Sequence, residues 1–193
     1  PMSLALSPAD KAKFAAARRS VDFIEDGMRV GLGTGSTAAW MVRCLGERVR
    51  NEGLRVTGVA TSDRTAELAA SEGITVVSLD KAGWLDLTID GADEFDPDLN
   101  LIKGGGGAHL REKIVATASD RMVVIADQGK VVEQLGQFHL PVEVIPFGWQ
   151  TTKALIEETL YSLDVMSSDL ALRMAKDVPL RTGLTPAVVL GTA

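Results

Sequence analysis

A short apolar run that ends in alternating glycines constrains this fold more than any other part of the chain. Residues 28–32 have the composition of a buried strand. Glycines occupy alternate positions at its end and just after it, at residues 31, 33 and 35. Residues 36–50 then repeat apolar side chains at helical spacing. A strand that enters a helix through a glycine turn is the first half of a βαβ unit, so we expect a mostly parallel sheet.

The same alternation of strands and helices continues along the chain. Further strands are predicted at residues 54–60, 75–78, 85–89 and 122–126, and further helices from residue 8 and at residues 64–72 and 110–118. The predicted fold class is therefore α/β, a Rossmann-like sheet with helices on both faces. In such sheets ligands bind beyond the carboxyl ends of the strands. Four residues are predicted to lie at that edge: Gly33, Ser62, Asp90 and Asp127.

The first glycine turn also predicts an anion site. Unpaired N–H groups and the positive end of the helix dipole favour a phosphate, and the hydroxyls of Thr34, Ser36 and Thr37 add donors. One alternative is a helix that is simply capped by Thr34 or Ser36. Another is a dinucleotide site, because residues 33–38 fit the pattern Gly-x-Gly-x-x-Gly/Ala. That pattern requires an acid at the end of the next strand, and Asp63 comes too late for it.

A second group of reactive residues lies between positions 90 and 113. Asp-Gly-Ala-Asp-Glu occupies residues 90–94, and Lys-Gly-Gly-Gly-Gly-Ala-His-Leu-Arg-Glu-Lys occupies residues 103–113. Four consecutive glycines are costly to order, because glycine loses more conformational freedom on folding than any other residue. Something must therefore approach that backbone closely. Acids, a cation and bare amides together suit proton transfer beside a carbonyl group.

The composition fits an enzyme of one domain, or of one domain with a small appendage. The 193 residues are 46% hydrophobic and 24% charged, which is enough for a sizeable core. A net charge of −6 argues against a nucleic-acid partner. No apolar run reaches the length of a membrane span, and residues 1–4 show no secretory signal. With a single cysteine, Cys44, we expect a cytoplasmic protein.

Several further motifs accompany these two regions in a fixed order. They are Gly-Leu-Gly-Thr-Gly-Ser-Thr (31–37), Asp-Gly-Ala-Asp-Glu (90–94), Lys-Gly-Gly-Gly-Gly-Ala (103–108), Leu-Arg-Glu-Lys (110–113), Ala-Asp-Gln-Gly-Lys (126–130) and Leu-Pro-Val-Glu-Val-Ile-Pro (140–146). In this order they resemble ribose-5-phosphate isomerase of the type A family. The resemblance implies interconversion of D-ribose 5-phosphate and D-ribulose 5-phosphate through a cis-enediolate, in the non-oxidative branch of the pentose phosphate pathway. No cofactor and no metal are proposed.

The resemblance also implies a role for each residue of the site. Glu112 would be the base that moves the proton between C2 and C1. Lys103 and the amides of the tetraglycine turn would stabilise the oxyanion. Asp90 and Asp93 would hold sugar hydroxyls or move protons during ring opening, while Lys130 would bind the phosphate with the first glycine turn. The predicted substrate contacts are Thr34, Gly35, Ser36, Thr37, Asp90, Gly91, Ala92, Asp93, Lys103, Gly104, Gly105, Gly106 and Lys130.

Other polar and sulfur-containing side chains are assigned to the structure. His109 and His139 have no partner at metal-ligand spacing, so both are predicted to be structural. Cys44 lies within an apolar helix and is predicted to belong to the core, as are Trp40, Met41, Leu45 and Val49.

Residues 1–130 are predicted to form the Rossmann-like catalytic domain and residues 131–193 a small α+β domain, part of whose C-terminus returns to the main sheet. Strands of the small domain are expected at residues 169–173 and 187–190. The resemblance implies that several tens of residues are missing near positions 182 and 183.

The expected partners are a small sugar phosphate and further copies of the chain, in a dimer or a tetramer. Two other functions stay open. One is a sugar-phosphate-sensing effector domain, which would need a DNA-binding module. The other is a nucleotide-binding oxidoreductase, for which the first glycine turn would hold the dinucleotide.

Overall fold

The computed structural model describes residues 6–165, 168–175, 178–179, 181–182 and 185–192. The contacts within the chain divide it into two units. The first unit comprises Pro1–Ala92 and Leu110–Val131, and the second comprises Asp93–His109 and Val132–Ala193. The division into domains at residues 130 and 131 stays a prediction.

The first unit alternates strands and helices. Its strands are β1 (Arg29–Leu32), β2 (Thr57–Ala60), β3 (Thr75–Val76), β4 (Leu87–Gly91) and β7 (Met122–Ile125). Its helices are α1 (Pro8–Ser20), α2 (Ser36–Glu52), α3 (Asp63–Ser71), α4 (Leu79–Ala82) and α5 (His109–Thr117), with short 3-10 turns at Val21–Phe23 and Gln128–Lys130. The five strands form one parallel sheet in the order β3-β2-β1-β4-β7. The predicted α/β class with a mostly parallel sheet is confirmed.

Several strand boundaries differ from the prediction; the strand expected at residues 75–78, for example, ends at Val76. The strand expected from residue 54 begins at Thr57, although Leu54 and Val56 are both buried. Apolar side chains can be buried from a loop as well as from a strand, so hydrophobicity alone misplaces this boundary. The strand expected at residues 85–89 begins at Leu87 and extends to Gly91.

The core of the first unit lies where the helices pack against the sheet. Met41, Cys44 and Leu45 of α2 are at most 2% exposed and belong to this core, as predicted. Val30 of β1 and Leu87 of β4 lie in the same cluster and are fully buried.

The direction of strand order reverses between β1 and β4. From β1 the chain passes through β2 to β3, and it then returns to β4 on the other side of β1. In open α/β sheets the carboxyl ends of two strands diverge at such a switch point and leave a crevice for a ligand. Gly33 follows β1, and Asp90 is the last but one residue of β4. The switch point therefore brings two predicted site regions to one place.

The second unit combines antiparallel strands with one long helix. Its elements are β5 (Glu94–Phe95), β6 (Leu101–Ile102), β8 (Leu140–Glu143), α6 (Trp149–Ser162), β9 (Ser168–Leu172), β10 (Met174–Ala175), β11 (Val178–Pro179), β12 (Arg181–Thr182) and β13 (Thr185–Thr192). β13 pairs with β8, β9 and β12, while β5 and β6 form a separate hairpin.

The strands expected at residues 169–173 and 187–190 are confirmed as β9 and β13. Val144 and Leu170 form the buried centre of the second unit, and Trp149 and Ile156 of α6 pack against them. The predicted break near positions 182 and 183 involves residue 183, which lies outside the residues that the structure describes.

Candidate functional site

Asp90 connects the two strands at the switch point. Its side chain is 1% exposed, and its Oδ1 accepts hydrogen bonds from the amides of Thr34 (3.1 Å) and Gly91 (2.7 Å). A Cβ at Gly33 would lie 2.1 Å from Asp90 Oδ1 and 2.6 Å from its Cα. The carboxylate thus occupies the space that any side chain at position 33 would need.

The N-terminus of α2 is open. Its N-cap is Gly35, with φ +122°, and among the described residues no side-chain hydrogen bond caps the helix. The alternative in which Thr34 or Ser36 caps the helix is therefore wrong. Gly35 and Ser36 are exposed, so the uncapped amides and the positive end of a 17-residue helix are available to an anion.

The Thr34 hydroxyl is engaged within the protein. It lies 2.6 Å from Thr61 Oγ1 and donates to Ser62 Oγ at 2.9 Å, while Thr65 Oγ1 donates to the carbonyl of Gly33 at 3.1 Å. These hydroxyls at the carboxyl end of β2 hold the glycine turn from the side opposite Asp90. The sequence placed Ser62 at this edge, but it gave no sign of Thr61 and Thr65, because nothing in their spacing shows what they face.

Lys130 follows the strand next to β4. The Asp127 side chain accepts the Gly129 amide at 3.0 Å and so fixes the turn that ends at Lys130. β7 pairs with β4 so that Ile125 is opposite Gly91. Lys130 therefore stands just beyond the carboxyl edge of the sheet, on the strand beside that of Asp90.

Glu112 is a buried acid in the first turn of α5. Its residue is 6% exposed, which is uncommon for glutamate. The position in the first helical turn favours a carboxylate, because the N-terminal end of the helix dipole is positive. Beside it, Arg111 forms an exposed ion pair with Asp63 of α3 at 2.8 Å. Asp63 is thus an exposed partner of arginine, rather than the acid at a strand end that a dinucleotide site would need.

In the second unit, Asp93 and Lys103 lie at the open end of the β5–β6 hairpin. Glu94 is opposite Ile102, and the Asp93 amide donates to the Ile102 carbonyl at 2.8 Å. Continuing this register by one residue places Asp93 opposite Lys103. Two of the predicted site residues therefore share one end of a hairpin.

The tetraglycine turn follows Lys103 and is held by the Asp93 side chain and by a hydrogen bond within its own backbone. The Gly105 amide donates to Asp93 Oδ2 at 2.7 Å, and the Gly107 amide donates to the Gly104 carbonyl at 2.9 Å. Gly104 and Gly107 have φ values of +99° and +84°, which favour glycine. Two of the four amides are therefore already bonded, one to Asp93 and one within the turn. Among the described residues, the amides of Gly104 and Gly106 take no part in these two bonds.

His109 packs directly on this turn. A Cβ at Gly104 would lie 2.4 Å from His109 Nδ1. Burial lowers the pKa of the His109 imidazole below its usual value of 6.5; Glu143 and Asp93 act to raise that pKa, and Arg173 acts to lower it. Within the part of the chain that the structure describes, His109 Nε2 is buried without a hydrogen-bond partner.

Glu94 is a functional neighbour that sequence reasoning did not single out. It is 3% exposed, and its two carboxylate oxygens accept the amides of Gly136 (2.8 Å) and Phe138. In the sequence, an acid next to Asp93 is equally compatible with an exposed side chain. Only the folded chain shows that Glu94 anchors residues 136–138.

The first unit thus has the features of a doubly wound α/β protein. A glycine turn and a buried acid flank its switch point, and an open helix terminus and a lysine lie at the same edge. The chemistry available there is binding of an anion next to carboxylates.

Comparison with known proteins identifies the family. The sequence model of ribose 5-phosphate isomerase A (phosphoriboisomerase A) matches residues 57–188. A ribose-5-phosphate isomerase A from Cereibacter sphaeroides is 72% identical over 181 residues, which cover 94% of this chain and 69% of that protein.

Solved structures give the same result. A ribose 5-phosphate isomerase from Plasmodium falciparum superposes with a TM-score of 0.87 at 32% identity, over 95% of this chain and 79% of that one. A D-ribose-5-phosphate isomerase in complex with phospho-erythronic acid gives 0.86 at 37% identity, over 96% and 80%. The chain belongs to the ribose 5-phosphate isomerase A family, and it is an isomerase. Among its described helices, none has the length and apolar character needed to cross a membrane.

We expect Gly33→Ala to destabilise the protein by about 1–3 kcal/mol, because the new methyl group must displace the buried Asp90. Urea unfolding measures this loss. Gly91→Ala is the matched control: a Cβ there meets nothing closer than the Ile125 carbonyl at 3.7 Å. Equal stability of the two variants would contradict the described packing of Asp90 against Gly33.

We expect His109 to make stability depend on pH. Its folded-state pKa lies below the unfolded value of 6.5, so below pH 6.5 the unfolded chain binds a proton that the folded chain does not. Stability from this source is complete above pH 6.5 and is lost as the pH falls towards the folded-state pKa. Urea unfolding between pH 5 and 7.5 should show this slope in the natural protein, reduced by up to one proton in His109→Leu.

The control for that experiment is His139→Gln, which replaces an exposed histidine. A slope that survives unchanged in His109→Leu would show that other groups cause it.

Proposed function

We propose that this chain interconverts D-ribose 5-phosphate and D-ribulose 5-phosphate through a cis-enediolate, with Glu112 as the base. The observation that carries the proposal is the hydrogen bond from the Thr34 amide to Asp90 Oδ1, 3.1 Å long. It sets the anion-binding turn and the first acid of the Asp-Gly-Ala-Asp-Glu motif side by side at the switch point. An aldose phosphate needs these two functions together.

The phosphate is assigned to the open N-terminus of α2 and to Lys130. Because the Thr34 hydroxyl is bonded to Ser62, we assign Thr34 and Gly35 to shaping the turn. Ser36 and Thr37 offer hydroxyls and first-turn amides to the phosphate. Lys130 contributes a positive charge from the neighbouring strand end.

The proton transfer is assigned to Glu112. In the forward direction its carboxylate takes the proton from C2 of the open-chain aldose, the electrons form the enediolate, and the same group returns the proton to C1. Burial keeps this carboxylate away from bulk water, which would otherwise exchange the transferred proton. A positioned base of this kind contributes roughly 10²–10⁴ in rate.

Stabilisation of the negative charge on the enediolate is assigned to Lys103 and the tetraglycine turn. The amides of Gly104 and Gly106 are the candidate donors, because those of Gly105 and Gly107 are already committed. Asp90 and Asp93 hold sugar hydroxyls during ring opening, alongside Gly91 and Ala92, whose backbones link the two acids.

The ligand of a related structure supports this assignment. That structure, 37% identical to this chain, is a complex with phospho-erythronic acid. The ligand carries a phosphate at one end and a carboxylate at the other. A carboxylate is planar and negatively charged, as an enediolate is, so it suits a site with separate phosphate and oxyanion groups.

We also propose that the protein is a cytoplasmic homo-oligomer. The second unit exposes large apolar side chains, among them Ile145 (70%), Phe147 (94%) and Tyr161 (68%). Exposed apolar surface of this kind is typical of an interface with another chain. A second copy of this chain is the partner proposed for it.

We expect Glu112→Gln to lower kcat for ribose 5-phosphate by more than about a hundredfold, while KM changes little, because the amide keeps the shape but cannot accept the proton. A coupled assay measures ribulose 5-phosphate with the natural protein and the variant. Retention of more than about a hundredth of the natural kcat would exclude Glu112 as the base.

The matched control is Glu67→Gln on α3, which makes the same change at an exposed position. Its kcat should equal that of the natural protein. The same assay with other aldose phosphates defines the range of substrates. If the natural protein forms no ribulose 5-phosphate, the proposed reaction itself is wrong.

We expect Lys130→Ala and Ser36→Ala to raise KM by about tenfold and to lower kcat by less than about threefold. Phosphate contacts exist in both the ground state and the transition state, so their loss weakens binding more than it slows bound substrate. Steady-state kinetics measure both constants, with Lys81→Ala on α4 as the control for removing an exposed lysine. A large fall in kcat at constant KM would place these residues at the reacting carbons instead.

A further inference from the structure

The side chain of Arg173 reaches the tetraglycine turn from the end of β9. Its Nη1 donates to the carbonyl oxygen of Gly105 at 2.8 Å, although the two residues are 68 positions apart in the chain. On the other side of the same residue, the Gly105 amide donates to Asp93 Oδ2 at 2.7 Å. Both polar backbone groups of Gly105 are therefore held by charged side chains of opposite sign.

This double contact determines where the next amide points. The Gly105 carbonyl and the Gly106 N–H belong to one planar trans peptide, so they point in opposite directions. When Arg173 fixes the carbonyl, it also fixes the direction of the Gly106 N–H. Gly106 itself is exposed, which leaves its amide accessible to a ligand.

The guanidinium group also affects the strength of that donor. A positive charge on the carbonyl oxygen draws electron density from the peptide and makes its N–H a better hydrogen-bond donor. The charge of Asp93 acts on the preceding peptide through the Gly105 N–H. Arg173 is therefore the side chain that acts on the peptide of Gly106.

We propose that Arg173 is a positioning residue of the isomerase: by binding the Gly105 carbonyl, it orients and polarises the Gly106 amide towards the oxyanion of the enediolate. The inference rests on the proposed function, in which the tetraglycine turn receives that charge. Arg173 does not touch the substrate in this scheme. Its effect reaches the reaction through one peptide group.

His109 can report on the charge of Arg173. His109 lies against Gly104, and Arg173 is one of the charges that lower the pKa of its imidazole, together with burial and against Glu143 and Asp93. Removal of the guanidinium should therefore raise the pKa of His109. The chain has only two histidines, His109 and His139, so an NMR titration can follow both.

The experiment compares Arg173→Met, Arg173→Lys and Lys153→Met with the natural protein. Methionine keeps an unbranched side chain without donors, lysine restores one donor and the charge, and Lys153 forms an exposed pair with Glu157 on α6. Circular dichroism establishes folding. We then measure kcat and KM for ribose 5-phosphate, and by calorimetry the Kd of phospho-erythronic acid and of inorganic phosphate.

We expect Arg173→Met to lower kcat about tenfold or more with KM changed less than about threefold, because an oxyanion donor acts mainly in the transition state. The phospho-erythronate Kd should rise by a similar factor, while the phosphate Kd stays constant. Arg173→Lys should recover part of kcat, and Lys153→Met should leave every constant unchanged. The NMR signal of His109 should titrate at higher pH in Arg173→Met.

A kcat for folded Arg173→Met within about threefold of the natural value overturns the inference, and so does a loss that appears only in KM. If Arg173→Met does not fold, Arg173→Lys decides: a natural kcat together with a natural phospho-erythronate Kd overturns it, and a fall in kcat at constant KM supports it. Inactivity of the natural protein would instead overturn the proposed function, so the two failures are distinct.

Discussion

Hydrogen bonds from backbone amides to buried or half-buried carboxylates are the interaction on which the rest of this structure depends. Asp90 accepts the amide of Thr34, and Asp93 and Glu94 accept amides of the tetraglycine turn and of residues 136–138. A charged acceptor makes such bonds shorter and stronger than neutral ones. Three acids within five residues therefore hold three loops, each of which contains a glycine that no other residue could easily replace.

This arrangement explains why the glycines and the acids occur together. A loop can expose its amides to a ligand only if it lacks side chains that cover them, and such a loop is entropically costly to order. The carboxylates provide that order: Asp90 packs against Gly33, and Asp93 packs against Gly105. Each of the two turns is therefore held in place within its own unit, and such order is what stabilisation of a developing charge requires.

In the proposed mechanism, the groups that bind the phosphate differ from those that stabilise the enediolate. The first unit offers an uncapped helix terminus and Lys130, groups that recognise a phosphate in any state of the reaction. The second unit offers amides whose direction is fixed by Asp93 and Arg173. In the proposed mechanism, only the latter groups would gain strength as the enediolate forms.

The sequence by itself determined the α/β class, the order of most strands and helices, and the regions that contain the site, because period, glycine turns and motif order are local properties. It also indicated the family, which comparison then showed. Tertiary structure decided what each polar group faces. The Thr34 hydroxyl bonds to Ser62, Glu94 is a buried anchor, and Arg173 reaches a glycine 68 residues away. Such contacts join positions that are distant in sequence, and side-chain burial and direction arise only when the chain has folded.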